Sequence, residues 1–267
     1  MLDDMKELAG RTAPATGGAR GTGRCIALEL AGEGCDLTMV VTKARGLEKL
    51  ASEVRTPGRG ATTHLVEVWG ADGVSALSGE TAPDLLVKDA GTGIMAELEV
   101  AGLMEWKRVI DVNPFGAVKT VNAFLNHFKS SGGCHIVNAA SALGIPGFPV
   151  SGAHSTSSFA LVVHPKFPAG EPARHGTEVS TVCPGLTCAP IFQRSDKKGY
   201  DPAKVERAIK MPRFVSTTNE KLSKAIISWI KKTQRSCRIP GRSARPTGST
   251  GFRPGLPRAL RRLSTGS

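Results

Sequence analysis

The octet TGGARGTG, Thr16 to Gly23, follows a short segment ending at Ala15 and precedes Arg24 to Gly32, which reads as a helix with Ile26, Ala27 and Leu30 on one face. Glycines at 17, 21 and 23 permit a tight strand-to-helix turn. They also let a pyrophosphate approach the backbone N–H groups at the positive end of the helix. A glycine-rich octet alone is weak evidence. Its place between a strand and a helix makes it a dinucleotide-binding signal rather than an ordinary turn.

Outward from the octet, short apolar strands and amphipathic helices keep alternating. CDLTMVV, residues 35–41, reads as a buried strand, and LEKLASEVR, residues 47–55, as a helix with Leu47, Leu50 and Val54 on one face. DLLV (84–87), CHIVNAAS (134–141) and VSTVCPG (179–185) end in glycine or small residues and read as further buried strands. Residues 106–128, WKRVIDVNPFGAVKTVNAFLNHF, predict one long helix with a bend at Pro114. This alternation points to a parallel α/β sheet.

Composition narrows the class. With 267 residues, 40% hydrophobic and 22% charged, the chain can bury a sizeable core and is not disordered throughout. No apolar run approaches the roughly 20 residues of a membrane span. The start, MLDDMKELAG, is acidic and has no apolar segment of a secretory signal. Six cysteines without a C-x-x-C pair fit reduced thiols in a cytoplasmic protein, and six histidines show no metal-ligand spacing, so no metal is assigned.

The net charge of +12 is unevenly placed. Twelve of the 35 basic residues follow position 220, where no acid occurs, so the excess is assigned to the tail. Residues 240–257 are rich in Gly, Pro, Ser, Thr and Arg, and RALRRL follows. We expect residues 1–239 to form the folded domain and residues 240–267 a disordered basic tail. Phe252 is the sole aromatic after Trp229, so no nucleic-acid partner is expected, and at most a weak contact of the tail with a membrane.

Several markers in order give the chain a resemblance to the short-chain dehydrogenase/reductase family, from about Leu8 to Gly241. Beyond the glycine turn, LLVKDAG sits where the family carries Asn-Asn-Ala-Gly, and VIDVNPFG resembles the helix bearing the active-site Asn, here Asn113. HIVNAASALGIPGFP resembles the strand and loop bearing the active-site Ser, here Ser141, and VSTVCPGLT the Pro-Gly turn beside the nicotinamide. The resemblance implies an α/β fold: a single Rossmann-type doubly wound parallel sheet of about seven strands flanked by helices. It places Thr16, Gly17, Arg20, Gly21, Thr22, Gly23, Thr42, Lys43, Ala90, Gly91, Pro184 and Gly185 along the cofactor. The second strand ends at Val41, followed by Thr42 and Lys43, with no carboxylate for the ribose hydroxyls. With Arg20 in the glycine turn, this favours the 2′-phosphate of NADP over NAD.

The family's acid/base is a Tyr four residues before a Lys, assisted by the Ser and the Asn. Counted from Ser141, the Tyr place is His154 and the Lys place is Ser158; the only tyrosine, Tyr200, lies far downstream in the expected lid, Leu186 to Arg213. An imidazole can act at neutral pH without the cation that a phenol needs, so one reading pairs His154 with Ser141. The other is a substituted pocket with little or no turnover, because Ser158 cannot replace the cationic ribose contact.

Other departures concern folding. Pro14 falls in the expected central first strand, Lys88 and Asp89 replace the two Asn, and Pro165, Pro168 and Pro172 interrupt a helix expected after Ser158. The resemblance makes that last helix much of the family's dimer interface, so Pro165, Pro168 and Pro172 imply a weakened homodimer interface. Two functions follow: an NADP-linked oxidoreductase acting on a small carbonyl compound or secondary alcohol, or a non-catalytic NADP-binding or interaction protein.

Overall fold

The computed structural model describes residues 3–18, 20–41, 47–55, 60–65, 78, 81–145, 150–163, 176–184, 195–199 and 217–232. Strands β1 (Thr12–Thr16), β2 (Asp36–Val41), β3 (Ala61–Leu65), β4 (Leu85–Lys88), β6 (His135–Ala139) and β7 (Glu178–Val182) form one parallel sheet. Its order is β3-β2-β1-β4-β6-β7. Against the seven strands expected, six lie among the described residues. Two short strands the sequence did not reveal, β5 (Ile94–Ala96) and β8 (Asp196–Lys198), pair in parallel as a separate sheet.

Helices cover both faces. On one side α1 (Gly21–Gly32), α2 (Leu47–Arg55) and α6 (Asn219–Ile230) bury Ile26, Leu30, Leu50, Ile226 and Ile230 against Ala15, Met39, Leu85 and Val87. On the other, Phe124 and Phe128 of α4 (Gly116–Ser131) pack on Val40, Leu86 and Ile136. Leu85 and Val87 thus face one layer and Leu86 the other, the period of two that a doubly covered parallel sheet imposes. Between β5 and α4 run α3 (Leu103–Ile110) and a π turn (Asp111–Phe115); α5 (Gly152–Val163) follows β6.

The two prolines inside described strands and helices, Pro14 and Pro114, are accommodated differently. Thr12 and Thr16 turn their carbonyls to the β4 side, accepting from Asp84 and Asp89 N–H at 3.0 and 3.3 Å. Alternation puts Pro14 on that side too. Its missing donor falls where the β1–β4 register begins only at Ala15, while the β2 ladder runs unbroken from Thr12 to Thr16. The strand therefore forms despite Pro14. Pro114 sits inside the π turn, which links α3 to α4.

α6 corrects the reading of the charge excess. Lys221 and Lys224 belong to this helix, and Lys231, just after it, reaches Glu33 at 2.6 Å, so these cations sit in the folded unit and not in a tail. The described part of α5 ends at Val163, and Pro165, Pro168 and Pro172 lie outside the described residues, as do residues 240–267. No helix among the described residues is long and apolar enough to cross a membrane.

Candidate functional site

The glycine turn closes against the end of β4. Gly17 has φ +76°, and a Cβ there would lie 2.8 Å from the Ala90 nitrogen. Gly21, the first residue of α1, has φ +59°. A Cβ on Gly23 would lie 2.6 Å from the Gly17 carbonyl oxygen and from Asp89 Oδ2. Each of the three glycines is thus required, two by conformation and one by close approach. Thr16 Oγ1 accepts the Ala90 N–H at 3.3 Å and Thr22 Oγ1 donates to Asn219 at 3.2 Å, so both hydroxyls brace the turn.

α1 begins without a cap. Arg20 is extended and exposed, its side chain makes no capping bond, and no acid lies in the first turn. Open N–H groups at a helix start fit the pyrophosphate of a dinucleotide. Thr42, Lys43 and Gly185 lie outside the described residues.

Lys88 and Asp89 turn to opposite layers. Lys88 is buried; its Nζ donates to the Ala117 carbonyl at 2.8 Å, and burial pulls it down to about 7. It shares a small cavity with Thr16, Asn113 and Asn138, whose amide has no partner among the described residues. Burial pushes the Asp89 carboxyl up to about 7, against the N–H of Gly23, which it accepts.

Asn113 sits in the π turn. Its Oδ1 accepts the Thr92 N–H at 2.8 Å, and its Nδ2 donates to the Thr92 carbonyl and to Ser157 Oγ, each at 2.9 Å. It therefore ties the loop after β4 to α5, with Gly91 passing so close that a Cβ would lie 3.4 Å from Asn113 Oδ1. Ser157, which sequence reasoning missed, also donates to the His154 carbonyl at 2.9 Å. Its neighbour Ser158 supplied the only family position nearby, so nothing in the sequence drew attention to it.

Ser141 follows β6 and caps one 3₁₀ turn, accepting the Leu143 N–H at 3.2 Å. Ala142 N–H donates to the Pro184 carbonyl at 2.8 Å, which brings the ends of β6 and β7 together. Val150, at φ +56°, and a bridge from Ser151 to Ala96 set the start of α5. There His154 is buried against Thr92. Burial lowers its pKa, and a hydrogen bond to the Thr92 backbone opposes this. Ser158 is buried one turn on, where a Cβ on Gly144 would lie 2.8 Å from the Ser158 Cβ.

Part of the expected lid reaches this region. A Cβ on Gly93 would lie 3.0 Å from Ser195 Oγ and 3.6 Å from His154 Nδ1. Asp196 pairs with Arg108 at 2.6 Å and Lys198 pairs with Glu105, holding β8 on α3. An apolar cavity of about 320 Å³ opens nearby between Ile94, Ala96, Leu98, Trp106 and Ala153. No group of three His, Cys, Asp or Glu side chains among the described residues could hold a metal.

A family model described as short chain dehydrogenase matches residues 11–199. An uncharacterised oxidoreductase of Staphylococcus saprophyticus is 27% identical over 76% of this chain and 91% of its own length. A 3-alpha-(or 20-beta)-hydroxysteroid dehydrogenase of Mycobacterium bovis is 26% identical over 76% of this chain and 82% of its own. Among solved structures, an NAD⁺-bound xylitol dehydrogenase superposes with TM-score 0.78 at 21% identity, covering 88% of this chain and all of that one. A short chain dehydrogenase of Mycobacterium paratuberculosis bound to NAD gives 0.76 at 21% identity, covering 88% and 97%.

Proposed function

The chain belongs to the short-chain dehydrogenase family, and we propose that it is a dinucleotide-binding member with little or no turnover. The binding half rests on the uncapped start of α1 behind Gly17, Gly21 and Gly23. NADP is the proposed cofactor, because Arg20 stands exposed at that start and β2 ends at Val41 without a carboxylate. A bound nicotinamide dinucleotide supplies or accepts a hydride. This chain's residues must then hold the substrate and move a proton at its oxygen.

Ser141 can donate a hydrogen bond to that oxygen. His154, whose pKa burial lowers, is the titratable side chain at the acid/base place, and buried Ser158 offers the ribose no cation. Loss of a general acid/base costs about 10²–10⁴ in rate. If a substrate is turned over, the apolar cavity beside Trp106 suits a small hydrophobic carbonyl compound or secondary alcohol. A non-catalytic dinucleotide-binding protein is the second reading, favoured by the buried Lys88 and by Asp89 at the glycine turn.

Titration of the purified protein with NADPH and NADH, read by nicotinamide fluorescence, tests the reading. NADPH is expected to bind more tightly; equal or tighter NADH binding at moderate salt overturns the NADP assignment. Appreciable NADPH oxidation with carbonyl substrates, lost on His154→Ala and following an imidazole-like pH profile, overturns the inactive reading.

A further inference from the structure

Lys88 and Asn138 stand opposite each other in the β4–β6 register, so both side chains leave the sheet on the same side. That side is the layer of α4, where Lys88 Nζ donates to the Ala117 carbonyl at 2.8 Å. Thr16, the β1 partner of Lys88, lines the same cavity, as does Asn113 of the π turn. The space is about 10 Å³, enough for a single water-sized body.

Donors outnumber acceptors in this cavity. The Lys88 ammonium spends one N–H on Ala117 and has two more with no acceptor among the described residues. Asn138 is wholly buried, and neither its Nδ2 nor its Oδ1 has a partner among them. Asn113 commits its amide to Thr92 and Ser157, and the Thr120 hydroxyl donates back to the Gly116 carbonyl at 2.7 Å. The charge is unbalanced as well: the lining residues include a lysine and no acid, since Asp89 turns to α1. A buried ammonium without a counter-ion is costly. A water would bring two further donors to a site already short of acceptors. A ligand that only accepts, and carries a negative charge, meets both deficits.

We propose that this cavity is a binding site for a small monovalent anion of halide size, held between the Lys88 ammonium and the Asn138 amide NH₂. The anion ties β4 and β6 to α4 beside the π turn that carries Asn113. The inference goes beyond the dinucleotide reading and depends neither on it nor on any turnover.

No side chain lining the cavity other than Lys88 titrates. Burial pulls its amine down to about 7, so the site is measured at about pH 6, where the ammonium is present.

The test compares thermal unfolding in sodium chloride and in sodium gluconate at equal ionic strength. Gluconate is too large for the cavity. The unmodified protein is expected to gain about 2–4 °C in Tm from chloride, levelling off as the site fills, because a ligand of the native state stabilises by mass action. Lys88→Met is expected to melt at the same temperature in both salts. Anion contacts on the outer surface act on both proteins alike and drop out of the difference. No chloride-specific rise in the parent, or an equal rise in parent and variant, overturns the site. Crystals of the unmodified protein grown in sodium bromide give a reading that needs no variant. Bromide scatters anomalously and water does not, so an anomalous peak between Lys88 Nζ and the Asn138 amide is expected. A cavity without that peak, whether it holds a water or nothing, overturns the proposal.

Discussion

At position 154 an imidazole stands in the first turn of α5, and at 158 a hydroxyl packs against the Ser141 turn at Gly144. A phenol at 154 would keep its pKa near 10 unless a cation lay beside it. His154→Tyr alone is therefore expected to leave NADPH oxidation at the parent's low level. Ser158→Lys alone should do the same and lower stability, because Ser158 is 2% exposed and a longer side chain must displace the Gly144 backbone. The double variant should raise turnover above either single one, measured as NADPH oxidation with a panel of carbonyl compounds. A double variant no better than the parent would show that more than the acid/base pair is missing. At the glycine turn, Gly21→Val places a β-branched residue at φ +59° on the pyrophosphate side. Loss of NADPH and NADH binding is expected, read by fluorescence titration; retained affinity would remove the turn from the site.

At the scale of elements, β1 carries a proline and still pairs along its whole length with β2, because the absent donor faces β4. Pro14→Val should restore one ladder bond and raise stability by about 1 kcal/mol, measured as the urea midpoint. A fall would mean that the β1–β4 gap is fixed by something other than the proline. The elements that were legible in the sequence share a property: each carries its own signal. β2, β4, β6 and β7 are apolar runs, and the glycine octet sets glycines 17, 21 and 23 between a strand and a helix. β3 was not legible, since ATTHL exposes Thr62 and Thr63 and lies at the sheet edge. β5 and β8 have three residues each and exist through pairing with each other, which no local pattern encodes. α6 could have been read from Leu222, Ile226, Ile227 and Ile230 with Thr218 as N-cap, but its lysines were counted with the basic stretch that follows. In the site, the positions of Asn113, Ser141, His154 and Ser158 were countable. That Asn113 spends its amide on Thr92 and Ser157 is a consequence of the π turn, which residue spacing does not announce.

For the whole molecule, Lys88 and Asp89 make stability depend on pH in two adjoining windows. The Lys88 ammonium falls from 10.5 to about 7 on folding. Between those values the unfolded chain holds a proton that the native state lacks, so stability rises with pH there, and the cost of burying the cation is complete below about 7. Asp89 rises from 3.8 to about 7. Across that window the native state holds the extra proton, so stability falls as pH rises, and the cost of burying the carboxylate is complete above about 7. The two costs meet near neutrality, which puts a minimum there. On the acid side His135, buried and lowered from 6.5 to about 4, adds a rise with pH that opposes the fall from Asp89. The alkaline limb, where Lys88 acts alone of the three, is thus the cleaner readout. Lys88→Met keeps the volume and removes the amine from its cavity beside Asn138. Urea midpoints from about pH 5 to about pH 9 should show the variant more stable than the parent at pH 6, by about 1–4 kcal/mol, with the alkaline rise gone. Asp89→Asn should instead keep the alkaline rise and lose the fall towards neutrality. A Lys88→Met protein less stable than its parent at pH 6 would mean that the Nζ bond to Ala117 outweighs the burial of the charge, and that the lysine holds the sheet to α4.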